Sequence, residues 1–254
     1  MDRLFEKHID RIAEALEESS RKALAKMREA VEAFEAVEID RPEERPRVFV
    51  IGEFLMNFHR GSNHDIERYL EANGMEVVLP HILDVFRRDF MRMKSEQERF
   101  HVRYPFLERV FNSVTDSLFD YALEKVDEIA SAHPLHERKA RLPEVAAHAR
   151  PIIDDTFTSG EGWMIAGEIL HNAELGIESF VIIQPFGCLP NHVTGRGLLK
   201  RIKQFHPSIQ ILSLDYDPDT SFANIENRLQ MLVINALERR RLREEAETEA
   251  ASGA

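Results

Sequence analysis

At 254 residues, 43% of them hydrophobic, the chain can bury one substantial core with helical additions, and its formal net charge of −12 leaves no basic stripe to follow a phosphate backbone, which argues against a nucleic-acid partner. No apolar stretch reaches spanning length, and the opening MDRLFEKHID carries charges where a secretory signal would be apolar, so the expectation is a cytoplasmic protein with no membrane partner. A single cysteine, Cys188, excludes an intrachain disulfide framework and any metal centre built from several of this chain's own thiolates.

Residues 4–34 carry Phe5, Ile9, Ile12, Leu16, Leu24, Met27, Val31 and Phe34 at alternating spacings of three and four, interrupted by Ser19 and Ser20. The pattern predicts one long N-terminal helix, residues 1–37 as a unit, serving as an antiparallel brace on the same chain in preference to an intermolecular coiled coil. Glu38 to Arg47, with Pro42 and Pro46, reads as a polar linker.

An α/β domain is expected over 47–237. Val48 to Glu53 reads as a buried parallel strand ending in glycine. Ser62 to Asp65 offers capping oxygens for a helix through Ile66, Tyr69 and Leu70, which stops at Asn73-Gly74 before a second strand, Met75 to Leu79. Further strands are expected at Phe180 to Ile183 and Ile209 to Leu214. Four short strands alternating with helices predict a Rossmann-like parallel sheet covered on both faces, and the right-handed crossover rule gives the order 2-1-3-4. A helical insertion is expected over 82–150, with one helix at Val85 to Met93 and another whose face carries Leu107, Phe111, Val114, Leu118, Ala122 and Val126. It forms a layer beside the sheet and ends in a charged connector punctuated by Pro143 and Pro151. Ser159-Gly160-Glu161-Gly162 leads into a helix from Trp163 to Leu175 closed by Gly176. The last helix starts from caps among Asp219, Thr220 and Ser221, and residues 238–254 read as a frayed charged tail.

The densest chemistry lies in Phe180 to Gly197, FVIIQPFGCLPNHVTGRG. A parallel sheet presents ligands beyond the carboxyl ends of its strands, and the loops Glu53–Gly61, Pro80-His81, Gln184–Thr194 and Asp215–Thr220 all map to that edge. Cys188 there reads as a thiolate ligand, a nucleophile or a small buried hydrophobe. The Cys188/His192 spacing is only half of a zinc site, and a nucleophilic cysteine needs a base such as His192, His59 or His64. His59, His64 and His81 are each open to a metal or substrate role or to plain capping. Glu161 reads as a cap for the helix that follows it. Thr194 to Gly197 reads as a turn before Leu198, where the first helical amides are open to an anion. Asp215 and Asp217 read as turn formers ahead of Pro218, or as Mg²⁺ ligands.

The runs GEFLMNFHRGSNHDIERYLEANGMEVVLP, SGEGWMIAGEI, QPFGCLPNHVTGRGLLKRI and DYDPDTSFANIENRLQML, in this order over about residues 47 to 232, resemble the C-terminal, D-component-like part of proteins related to the 2-hydroxyacyl-CoA dehydratase activase. The resemblance implies iron–sulfur chemistry. A [4Fe–4S] cluster would receive a low-potential electron from an ATP-dependent activase, Cys188 would be one cluster ligand, and Glu53, His59, Ser159, Glu161, Gln184, Asn191, His192 and Arg196 would line a substrate pocket. One cysteine cannot supply the remaining thiolates, so the implied partner is the cysteine-bearing remainder of a larger polypeptide or a partner subunit. The alternatives are a non-catalytic binding or assembly module that has lost the cluster, and a cysteine-dependent hydrolase or transferase.

Overall fold

A computed structural model describes residues 2–38, 44–217, 219 and 221–252. In chain order the elements are α1 (Asp2–Glu18), α2 (Ser20–Glu35), β1 (Arg47–Gly52), α3 (Phe54–Phe58), α4 (Arg60–Asn63), α5 (Ile66–Ala72), β2 (Glu76–Val78), α6 (Asp84–Phe100), α7 (Phe106–Ala130) and α8 (Leu142–Ala149). There follow α9 (Met164–Glu174), β3 (Ser179–Pro185), the single turn α10 (Leu189–Asn191), a π-helical turn (His192–Arg196), α11 (Leu199–Phe205), β4 (Gln210–Tyr216) and α12 (Phe222–Ser252). The linker residue Pro42, the turn residue Pro218 and the cap candidate Thr220 lie outside the described residues.

The chain divides into two compact units, one holding α1, α2 and Arg103–Lys139, the other holding Glu44–Val102 and the chain from Ala140 onward. Contacts therefore split the helices expected as one insertion: α6 and α8 belong with the sheet, whereas α7 packs on α2.

In the helical unit, the helical stretch expected over 4–34 is present, divided at Ser19. That residue is extended, with φ −172° and ψ 149°, and its hydroxyl accepts the Lys22 amide, so it is the N-cap of α2. The break folds α1 back on α2 as an antiparallel hairpin. Arg11 meets Glu29 at 3.1 Å and His8 lies against Phe34, with Ala15, Ala23 and Ala30 buried where the helices approach.

The other unit is built on a four-stranded parallel sheet of order β2-β1-β3-β4, as the crossover rule predicts. The two central strands are buried almost throughout, and their side chains alternate between faces with the period of two that a strand imposes. Val48, Val50, Val181, Ile183 and Leu214 pack against Ile66 and Leu70 of α5 and Ile225, Leu229 and Leu232 of α12. Phe49, Ile51, Phe180 and Ile182 pack on the opposite face against Ile165, Ile169 and Leu170 of α9 and Ile202 of α11. Each of the two central strands thus has no solvent face, which is why it reads as an unbroken apolar run.

Two differences from the sequence pattern have local causes. The connector expected around Pro143 contains a helix, α8, because proline is tolerated in a first turn and Glu144 accepts the Arg141 amide at 2.7 Å; Leu142, Val145, Ala146 and Ala149 are buried against Trp163 and Met164. The tail expected to fray continues α12 to Ser252, with Arg240–Glu244 and Arg241–Glu238 pairs along its exposed surface.

Gly52, the last residue of β1, fixes how the sheet opens into its loops. A Cβ there would stand 1.7 Å from the Ile183 carbonyl oxygen, which accepts the Glu53 amide at 3.0 Å. Gly52→Ala must push the two central strands apart, and the expected cost is about 3 kcal/mol. Urea unfolding followed on Trp163, the chain's only tryptophan, measures it in the unit that holds the sheet.

Candidate functional site at the carboxyl edge of the sheet

Because Gly52 lets β1 run flush against β3, the chain leaves the strand at Glu53 and turns directly into α3. Two carboxylates meet the first amides of that helix. Glu53 Oε2 accepts Met56 N–H at 2.9 Å, and Glu161 Oε1 accepts Phe54 N–H at 2.9 Å across 107 residues of chain. Glu161 therefore caps α3, not the helix that follows it in sequence. Its turn is held by tight packing: Gly160 has φ +56°, and a Cβ there would lie 2.4 Å from Pro190 Cβ, so only glycine lets the Glu161 turn sit on the Cys188 loop. From the other side the segment is anchored by Asp155, which takes Arg150 at 3.0 Å and Arg99 at 3.2 Å.

The Cys188 loop is shaped by hydrogen bonds that run back along itself. Phe186 N–H reaches the Tyr216 carbonyl at 2.7 Å, extending the β3–β4 pairing, and Cys188 N–H closes a turn on the Pro185 carbonyl at 3.1 Å. The chain then coils instead of turning at Thr194 to Gly197. The Cys188 carbonyl accepts both the His192 amide at 3.0 Å and His192 Nδ1 at 2.8 Å, Thr194 Oγ1 bonds the Pro190 carbonyl, and Gly197 N–H bonds the His192 carbonyl at 2.8 Å. In the turn expected before Leu198, the Gly197 amide is thus spent inside the coil that starts at His192.

Asp215, at the end of β4, ties the loop to the sheet. Its Oδ1 accepts Gln184 Nε2 at 2.7 Å, its Oδ2 accepts Arg196 Nη2 at 2.6 Å, and His192 Nε2 lies 3.5 Å from Oδ1. Of Asp215 and Asp217, both expected as turn formers or Mg²⁺ ligands, it is Asp217 that makes the turn contact, its Oδ1 accepting the Asp219 amide. A carbonyl only accepts, so His192 Nδ1 carries a proton and its Nε2 faces Asp215. Cys188 Sγ instead accepts from Asn191 Nδ2 at 3.4 Å. Among the described residues no histidine nitrogen bonds that sulfur, so no cysteine–histidine nucleophile pair is assembled.

The expected pocket residues separate on these contacts. Glu161, Gln184 and Asn191 form a buried wall beside Cys188, with His192 and Arg196 on its outer side and Glu53 at the start of α3. Ser159 is exposed, one residue before the Gly160–Pro190 contact. His59 is exposed and capped locally, its Nδ1 accepting the Ser62 amide at 3.1 Å. His64 stacks on Tyr216 and lies tilted against Phe222. Asn57, within the loop expected over 53–61, is 2% exposed, and neither of its amide atoms finds a protein partner. With Glu161, His81, Ile51, Phe58 and Met164 it lines a pocket of about 20 Å³, room for one group the size of water. Glu161, one of the lining residues, is buried with its Oε2 lacking a hydrogen-bond partner. A buried carboxyl with one uncommitted oxygen can exchange a proton with a group held there.

The donor set does not by itself complete an iron–sulfur cluster. The chain offers one thiolate, and among the described residues no three His, Cys, Asp or Glu side chains are grouped to hold a metal ion. Four ligands are the norm for a cubane, so this chain's residues do not fit it as a complete site. Among the described residues no helix is long and apolar enough to cross a membrane.

Burial pushes the Glu161 carboxyl above its ordinary value of 4.5, opposed by the Phe54 N–H bond, with the Glu53 charge adding to the rise. A raised acid binds its proton more tightly when folded, so Glu161 costs stability as the pH climbs from the unfolded value through the folded one. Glu161→Gln is expected to gain stability relative to the parent as the pH rises above the ordinary carboxyl value of 4.5, read from urea midpoints; a difference independent of pH would show that the carboxyl is not strained by burial. Comparison with family models, with curated proteins and with solved structures gives no match for this chain.

Proposed function

We propose that this chain is one wall of a shared iron–sulfur site of the 2-hydroxyacyl-CoA dehydratase/activase type, supplying Cys188 as a single ligand and the Glu161–Gln184–Asn191 wall as part of a substrate pocket. The other thiolates come from a cysteine-bearing remainder of a larger polypeptide or from a partner subunit. An ATP-dependent activase would supply the electron.

One observation carries the reading: the chain's lone thiol is half-exposed at the carboxyl edge of a parallel sheet, fixed by an amide donor, among the exposed apolar side chains Phe186, Leu189 and Val193. A cysteine kept only for packing would be buried. An apolar collar around a polar floor suits a surface that another protein segment closes over. The resemblance of residues 47 to 232 to the dehydratase group supports the same assignment of Cys188.

A second reading, a binding or assembly module without a cluster, draws on the same collar together with the incomplete ligand set. The two differ in what the sulfur does. Incubated anaerobically with a synthetic [4Fe–4S] cluster carrying four exchangeable thiolates, the chain is expected to displace one thiolate, its sulfur replacing the thiol that leaves, and Cys188→Ser is expected to displace none. Reconstitution of the chain alone from ferrous iron and sulfide is expected to yield no stable cubane. Absence of exchange favours the assembly module, and a complete cluster on the isolated chain overturns the shared site.

A further inference from the structure

In the helical unit, α7 turns its most apolar stripe away from α2. Leu107, Phe111, Val114, Leu118 and Tyr121 follow one another at spacings of four, three, four and three, and each is between 54% and 79% exposed. On a helix that spacing keeps all five within one narrow band, the seam along which a second helix packs. Phe106 and Val110 widen the band at its amino end, at 72% and 42% exposed. Taking the areas of such side chains, the open apolar surface is on the order of 800 Å², one partner's share of a standard protein interface and more than a monomer's largest patch usually shows.

The charges say which helix fits. Along α7 stand six acidic residues, Glu108, Asp116, Asp120, Glu124, Asp127 and Glu128, against two basic ones, Arg109 and Lys125. The Lys125 ammonium is already engaged by Glu128 at 2.6 Å. On the helical wheel Glu108, Glu124 and Glu128 border the seam, Lys125 falls on the seam with its charge taken up by Glu128, and Asp116, Asp120 and Asp127 lie on the opposite side. A second copy of this chain would bring the same acidic border to the contact, and the whole chain carries −12; like charges along the flanks of paired helices oppose their association.

We infer that α7 is a docking surface for a partner helix with an apolar seam spaced by threes and fours and with lysine or arginine along its flanks. The apolar seam supplies most of the affinity and the basic flanks supply the choice of partner. The inference does not depend on the role of Cys188, which lies in the other unit.

The test uses the whole chain and two synthetic helices of about four heptads with the same leucine seam, one flanked by lysine and one by glutamate, followed by fluorescence anisotropy. The lysine-flanked helix is expected to bind at least about tenfold more tightly at low salt, with the ratio shrinking as salt is added. The double substitution Phe111→Gln and Leu118→Gln changes two exposed positions, so circular dichroism is expected to stay unchanged while binding falls about tenfold or more. Equal binding of the two helices, binding of neither, or a chain that sediments as a dimer dissociated by that double substitution would each overturn the inference.

Discussion

The site depends on the pairing of β1 with β3 down to Gly52, where the absence of a side chain lets one central strand lie against the carbonyl of the other. Because the ladder reaches Ile183 without a gap, Glu53 leaves the sheet at the level of Gln184 on the neighbouring strand. The first amides of α3 then open toward Glu161, and the polar side chains of three distant segments meet over the same strand ends. A bulge or splay at this point would separate Glu161 from Phe54 and with it the Asn57 pocket from the Cys188 loop. The general preference of parallel sheets for ligands beyond their carboxyl ends becomes, here, a consequence of one missing methyl group.

The second constraint is electrostatic. Asp215 gathers an amide, a guanidinium and an imidazole around one carboxylate, joining the end of β4 to Gln184 and to the coil after Cys188. Held between this anchor and the Gly160–Pro190 contact, the loop has little freedom to reposition its sulfur. Rigidity of that kind suits a ligand or contact residue, whose position must be set in advance, and both ring nitrogens of His192 face partners other than the Cys188 sulfur.

Much of the architecture was legible because its causes are local. Unbroken apolar runs ending in glycine or proline mark buried parallel strands, and handedness then orders them. What escaped was decided by partners far away in sequence. Pro143 looked like punctuation, but a proline at the start of a helix and one at its end read alike until Val145 and Ala146 are seen buried. Gly195 and Gly197 suggested a turn; Gly195 is instead pressed toward Ile182 and Gln184, and Gly197 against the Val193 carbonyl, inside a coil. Glu161 and Asp215 have roles that only the folded sheet reveals, since their partners lie 107 and 31 residues away. The spacing of Leu107, Phe111, Val114, Leu118, Ala122 and Val126 marks a helix, but periodicity alone cannot say whether such a face turns inward or outward.

Ser19 carries a consequence for how the helical unit tolerates change in length. One extended residue reverses the chain, so the angular setting of α1 on α2 is counted from a single joint, with no loop to absorb an error. A residue gained or lost there would rotate α1 by about 100°, swinging His8, Arg11 and Ala15 away from α2 and replacing them with another stripe. Composition, helix propensity and hydrophobic content would all be preserved by such a change. The unit is therefore far more sensitive to the number of residues at this corner than to their identity.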